Sequence, residues 1–334
     1  MRVLITGANG FVGRDLVRSL LARGSVRGQP ITSMLVLDRE LHDLPDDPRL
    51  RRHAGSVTDI ALMRRVLADG IDVVFHLVSV PGGAAEDNYE LGYQVNLLAG
   101  LELLNQLRNK ARPPVLVYAS SVAVYGSHLP ARMKECAEVR PELSYGTHKA
   151  MLENAVNDLV RRGEVDGRVV RLPGIVARPR EPNGLRSAFM SDLLRAYAAG
   201  EAYCCPVSPD ATAWWMSARC CVNNLIHAAE LVCDETGHPR VWQLPVLHLS
   251  IAQVVDALAA SYGQERRSLI TYAADAELEA LFGRLPPLKT PQARAAGFSH
   301  DGNAGAMIRN ALNPTVSRPL SLSGETAHVA THQA

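Results

Sequence analysis

The chain opens Met-Arg-Val-Leu-Ile-Thr-Gly-Ala-Asn-Gly-Phe-Val-Gly, a short apolar run followed at once by Gly7, Gly10 and Gly13. The run reads as a strand, and Gly13 to Arg23 has helical spacing, so the glycines fall on a strand-to-helix turn. No other feature constrains the fold as much. Gly7 permits the tight turn, Gly10 lets the backbone approach an anion, and Gly13 lets the helix pack closely. The unpaired N–H groups of the first helical turn then face negative charge. In this context the loop reads as a dinucleotide cradle rather than a bare glycine-rich turn. Asn9, Phe11 and Val12 complete it and are expected cofactor contacts.

The rest of the first half repeats this rhythm. Short apolar runs at Val3 to Thr6, Met34 to Leu37, Val73 to Leu77, Val115 to Ala119 and Val169 to Leu172 alternate with helical patterns at Gly13 to Arg23, Thr58 to Ala68, Asn88 to Arg108 and Tyr145 to Arg161. Such alternation predicts an α/β fold, a doubly wound parallel sheet of the Rossmann kind, over residues 1–175. At 334 residues the chain exceeds one typical domain. From 176 to 312 its character changes, with Pro-rich connectors and helix candidates at Phe189 to Ala199, Val222 to Val232 and Ile251 to Ser261. That range predicts a smaller substrate-binding lid, some of whose segments can return to the first domain. Residues 313–334 are rich in Ser, Thr, His and Pro without apolar periodicity and read as a flexible tail. No internal repeat is found.

Composition narrows the function classes. Net charge is +1, with 47% hydrophobic and 21% charged residues, and the pairs Arg51-Arg52, Arg64-Arg65 and Arg161-Arg162 lack interleaved aromatics, so nucleic acid is not an expected partner. The six cysteines have no C-x-x-C spacing, which argues for buried free thiols rather than a metal or redox site. The N-terminus reads as a strand rather than a signal peptide, and no apolar run approaches the roughly 18 residues of a membrane span. A cytoplasmic protein with no membrane partner is expected.

Two further features concern chemistry. Asp38 ends the second strand candidate, where a carboxylate can accept hydrogen bonds from ribose hydroxyls and repel a 2′-phosphate, favouring NAD. Arg39 beside it keeps NADP open, and Gly24 to Ser33 lengthens the usual glycine-to-acid spacing as a loop insertion would. Tyr145 and Lys149 lie one turn apart on one helical face, so both can reach one site. An ammonium beside a phenol favours the phenolate, a base able to take a hydroxyl proton, and Ser121 lies upstream as a partner. Alcohol redox chemistry follows.

Taken with Phe75-His-Leu, Val95-Asn96 and Tyr118-Ala-Ser-Ser121-Val-Ala-Val-Tyr-Gly126, these motifs resemble the extended short-chain dehydrogenase/reductase family over about residues 1 to 310. The resemblance implies Tyr145 as general acid/base, Lys149 on the nicotinamide ribose and Ser121 positioning the substrate oxygen. It implies further cofactor contacts at Ser56 and Val57, at Leu77, Val78 and Val80, and at Asn96, Ala119 and Pro173, with Asn96 supporting the active-site helix. Ser56 stands where relatives usually carry an acidic residue for the adenine amine, though a hydroxyl can still accept a hydrogen bond. His76 reads as structural or as a pyrophosphate-loop residue, and His148 as a residue able to touch the pocket.

Arg171-Leu-Pro-Gly replaces the Tyr-Gly-Pro text of nucleotide-sugar enzymes, whereas Arg171-Leu-Pro, Arg178-Pro, Pro182-Asn183, Trp215-Met-Ser-Ala-Arg219 and Val222-Asn-Asn-Leu-Ile-His resemble an erythronate-oxidising branch. That implies oxidation of the C2 hydroxyl of a small sugar acid with NAD. A carboxylate and several hydroxyls need a cation and polar groups, which Arg178, Asn183, Arg186 and Arg219 can supply. The resemblance also implies a homodimer paired through Asn88 to Arg108 and Tyr145 to Arg161. A nucleotide-sugar 4-epimerase and a non-catalytic NAD-sensing protein are the alternatives.

Overall fold

The computed structural model describes residues 1–108, 112–180, 186–233 and 240–313. Seven parallel strands form its central sheet: β1 Arg2–Thr6, β2 Ser33–Asp38, β3 Leu50–Ala54, β4 Val73–His76, β5 Val115–Ser121, β6 Asp166–Leu172 and β7 Val241–Gln243, in the spatial order β7-β6-β5-β4-β1-β2-β3. Side chains alternate across the pleat, so both faces of the inner strands are apolar. Val3, Ile5, Val36 and Phe75 pack on one side against Leu16 and Leu20 of helix Phe11–Arg23 and Leu225 and Ile226 of helix Ala218–Glu230. Leu4, Leu37, Val74 and Leu116 pack on the other against helices Ile60–Leu67, Ala99–Leu107 and Ser144–Arg161. The five expected strands are all present.

Two strands of the central sheet lie outside the expected set. Only Leu50 of β3 is buried, because this edge strand carries Arg51, Arg52 and His53 on a largely solvated ribbon. β7 belongs to the second half of the chain, yet it pairs with β6, from Val241 opposite Val169 to Gln243 opposite Arg171. With helix Ala218–Glu230 it returns from the lid region to the first layer. The Gly24 to Ser33 stretch forms a small hairpin, Ser25–Val26 against Gln29–Pro30, which accounts for the long spacing from Gly13 to Asp38.

Strand order reverses between β1 and β4, and their carboxyl ends open the crevice where this sheet type binds ligands. Over it sits a second core, where helices Phe189–Ala199, Ile251–Tyr262 and Ala304–Leu312 pack around Trp215 through Leu193, Leu194, Val254, Leu258 and Met307. A three-stranded sheet, Gly174–Val176, Thr212–Ser217 and Leu247–Ser250, lies beneath these helices. Asn88 to Arg108 is not one helix. It is interrupted by a π-helical turn at Tyr93–Leu98 that contains Asn96. No described helix is long and apolar enough to cross a membrane. All six cysteines are free; Cys205, Cys220 and Cys221 are buried, but Cys136 and Cys204 are exposed, contrary to the expectation of burial throughout.

Candidate active site

The glycine loop leaves β1 with Gly7 at φ 75°, its N–H donating to the Leu37 carbonyl at 2.9 Å. A Cβ on Gly7 would come within 2.7 Å of the Val78 nitrogen, and one on Gly13 within 2.1 Å of the Gly7 carbonyl oxygen. Both positions therefore exclude a side chain. Gly10 starts helix Phe11–Arg23 with no side-chain cap and no acidic residue in the first turn. The N–H groups of that turn are left to an outside acceptor, which suits a pyrophosphate.

Asp38 is half-buried at the end of β2, accepting the Asn9 N–H at 2.9 Å and the Arg39 N–H at 2.8 Å. These bonds hold its carboxylate beside the loop, where a ribose would lie. The Asn9 side chain turns outward to accept the His42 N–H at 3.1 Å. Ser56 turns back on itself, its hydroxyl 2.7 Å from that of Thr58. Val57 is buried in the core below it.

At the other end of the crevice, the segment after β4 carries Leu77, Val78 and Val80. Asn96 reaches from the π-helical turn to clamp Val80, accepting its N–H at 2.7 Å and donating to its carbonyl at 3.0 Å. The irregular turn brings this buried amide to the loop instead of along a regular helix. His76 is buried with Nδ1 2.7 Å from the Thr6 hydroxyl, and burial, with the Lys149 charge, pushes its pKa down to about 3. It is a neutral structural residue.

Ser121 ends β5, its hydroxyl accepting the Ala123 N–H at 3.1 Å. Tyr145 and Lys149 project from the first turns of helix Ser144–Arg161, which Glu86 caps by accepting the Ser144 N–H. The Lys149 ammonium donates to the Ala119 carbonyl at 2.7 Å and lies 5.5 Å from the centre of the Tyr145 ring. Burial pushes the Lys149 pKa down to about 7, against the attraction of Glu153 one turn on.

Tyr145 is half-buried beside this ammonium. Burial raises its pKa above 10.0, and hydrogen bonds from Ser79 and Ser121, with the charge of Arg178, act in the lowering direction. The Lys149 ammonium lies over the ring, where a positive charge favours the phenolate. Ser79 was not anticipated, because nothing in Leu77-Val-Ser-Val-Pro marks it before the fold brings it to Tyr145. Pro173 is buried just beyond β6.

The lid cations separate clearly. Arg178 lies 5.0 Å over the Phe11 ring and acts on Tyr145. Arg186 pairs with Glu277 at 2.9 Å on the lid. Arg219 faces Asn310 at 3.4 Å and the Asn313 carbonyl at 3.3 Å, and its charge reaches Asp15. Asn183 lies outside the described residues. His148 does not face the pocket; it packs against Tyr89 and Tyr93 at 5.8 and 5.9 Å.

Behind the site, Glu153 and Arg171 form a buried pair at 2.6 Å with side-chain exposures of 5% and 9%. Ser120 donates to the same carboxylate, and Arg171 donates to the Tyr125 hydroxyl at 2.9 Å. The network joins helix Ser144–Arg161 to β5 and β6.

A nucleotide crevice at the sheet's reversal point, with Tyr, Lys and Ser gathered at its nicotinamide end, defines a Rossmann-fold enzyme that works on alcohols and carbonyls. The chain belongs to the NAD dependent epimerase/dehydratase family, whose model matches residues 3–241, and its cofactor is NAD. It is 38% identical to a D-erythronate dehydrogenase of Cupriavidus necator over 92% of this chain and 97% of that protein. It is 32% identical to a D-erythronate dehydrogenase of Haemophilus influenzae over 92% and 98%. Among solved structures, a nucleoside-diphosphate-sugar epimerase from Agrobacterium tumefaciens superposes with a TM-score of 0.86 at 29% identity, covering 92% of each chain.

Proposed function

We propose that this enzyme is an NAD-dependent sugar-acid dehydrogenase that oxidises the C2 hydroxyl of D-erythronate to the 2-oxo acid. The observation that carries the reading is the position of the Lys149 ammonium, 5.5 Å from the centre of the Tyr145 ring and 2.7 Å from the Ala119 carbonyl of the strand that ends in Ser121, which brings the three residues to one end of the crevice. The two dehydrogenase relatives, matched almost end to end, support the substrate.

The residues fit NAD by their own chemistry. The uncapped helix start at Gly10 takes the pyrophosphate, Asp38 the adenosine ribose, Ser56 and Val57 the adenine, and Lys149 the nicotinamide ribose. Leu77, Val78, Val80, Ala119 and Pro173 wall the crevice. When bound, NAD supplies the hydride acceptor and a positive charge near the tyrosine. Ser121 orients the C2 hydroxyl and Tyr145 takes its proton at Oη. Arg178 both pairs with the substrate carboxylate and favours the phenolate electrostatically. Its charge at Tyr145 supports it over Arg219 in that role.

Two broader assignments belong to the same reading. The partly exposed Tyr89, Leu91, Leu101 and Met151 lie on the two helical stretches expected to pair, which supports a homodimer. Six free thiols suit a reducing compartment, which supports the cytoplasm.

The test is NADH formation across four- to six-carbon aldonic acids, with UDP-sugars as controls. D-erythronate should be oxidised with the highest kcat/KM. Turnover confined to UDP-sugars, without net NADH, would transfer the reading to the epimerase that the Agrobacterium structure represents.

A further inference from the structure

Lys149 is 2% exposed, and a buried ammonium loses its charge unless the protein replaces the water it gave up. One of its N–H bonds goes to the Ala119 carbonyl at 2.7 Å. Among the described residues, the titratable groups around it come from three elements. Tyr145 and Glu153 share its helix, and the Glu153 carboxylate is already engaged by Arg171 of β6 and Ser120 of β5. His76 of β4 is neutral, and Tyr118 belongs to β5.

Two aromatic faces meet the ammonium: Nζ lies 4.9 Å from the centre of the Tyr118 ring and 5.5 Å from that of Tyr145. Tyr145 is committed to proton transfer, but Tyr118 has no such task. It immediately precedes Ala119, so consecutive residues of β5 present a ring face and a carbonyl to the same charge. His76 stacks on the Tyr118 ring at 5.9 Å with the planes 24° apart, and is itself held 2.7 Å from the Thr6 hydroxyl. The Tyr118 hydroxyl is buried without a hydrogen-bond partner among the described residues, whereas a buried phenol usually finds one. The position therefore uses the ring and not the oxygen. A cation within about 6 Å of a ring centroid is attracted by the ring quadrupole, most strongly where water is excluded.

We propose that Tyr118 is a positioning residue for Lys149, its ring face keeping the buried ammonium charged and in place for the nicotinamide ribose through a cation–π contact. This rests on the cofactor role given to Lys149 and extends it to a residue that acts only through the lysine. It is independent of which alcohol is oxidised.

The experiment separates the electrons of the ring from its shape. The full-length enzyme is prepared as Tyr118→Phe and, in a second form, with trifluorophenylalanine at the same position, which nearly keeps the volume but draws negative charge off the ring face. The chain has four lysines, Lys110, Lys134, Lys149 and Lys289, so NMR of isotope-labelled lysine side chains is simple to read, and the signal missing from Lys149→Met belongs to Lys149. Titrated without cofactor, Lys149 in Tyr118→Phe should ionise within about 0.3 pH units of wild type, and in the fluorinated enzyme about 0.5–1.5 pH units lower. At neutral pH the fluorinated enzyme should also bind NADH about two- to fivefold more weakly than Tyr118→Phe, because fewer molecules carry the charged donor. Coincident titrations of the two ring forms would overturn the proposal, as would a shifted lysine with unchanged NADH affinity. NADH binding to Lys149→Met tests the underlying role separately: wild-type affinity there would mean that the cofactor reading of the lysine has failed, while the titrations still decide whether the Tyr118 ring holds the charge.

Discussion

Replacing Arg171 by methionine would leave the Glu153 carboxylate buried without its counter-charge. In the native protein Arg171 donates to Glu153 at 2.6, 2.9 and 3.2 Å, and Ser120 supplies a further bond. Methionine restores the volume but none of the donors. Removing one partner of such a pair typically costs about 3–5 kcal/mol, because the desolvation of the survivor is no longer offset. For a chain of this size that corresponds to a melting point lower by about 4–8 °C. The double variant Glu153→Leu with Arg171→Met removes both charges and should recover most of the loss. Thermal and urea unfolding of wild type, both single variants and the double variant form the cycle. A single Arg171→Met variant as stable as wild type, or single losses that simply add in the double variant, would refute the account of the pair.

Asp38→Ala should lower kcat/KM for NAD by about 10–100-fold and raise the NADP-to-NAD ratio at least about tenfold, because the carboxylate that repels a 2′-phosphate is gone and Arg39 stands beside it. Parallel kinetics with both cofactors check this, and an unchanged ratio would contradict the role given to Asp38. His76 is held neutral with its pKa near 3 against an ordinary 6.5. Between those values the unfolded chain binds a proton that the native state refuses, so the associated stability is complete above 6.5 and is lost as pH falls. Wild type should therefore lose on the order of 3 kcal/mol more than His76→Asn between pH 6.5 and 4, read from urea unfolding, and equal losses would exclude this source of acid sensitivity.

The parts of the site that were legible in the sequence are those whose chemistry is local. The turn at Gly7 to Gly13 is written in consecutive residues, as is the one-turn spacing of Tyr145 and Lys149. The inner strands were legible because burial on both faces demands continuous apolar runs. β3 was not, since an edge strand with one buried residue has no such pattern, and β7 is too short for any period to register. The break at Tyr93–Leu98 contains no glycine or proline of its own; it is a tertiary arrangement that lets Asn96 reach Val80. Arg219 illustrates the same limit: an arginine in a suggestive stretch is turned toward Asn310 instead.

Burial raises the pKa of Tyr145, with Ser79, Ser121 and Arg178 acting in the opposite direction, while burial also pushes Lys149 down to about 7. The phenol of the free enzyme is therefore protonated at neutral pH, and the oxidation rate should rise as pH rises toward the tyrosine pKa.

The most direct measurement is NADH formation from D-erythronate by Tyr145→Phe beside wild type, with NAD affinity measured on both. Phenylalanine keeps the ring and removes only the oxygen that accepts the proton. The account expects kcat to fall by about 10²–10⁴-fold while NAD binding changes by less than about threefold. A variant that binds NAD normally and turns over at the wild-type rate would contradict it.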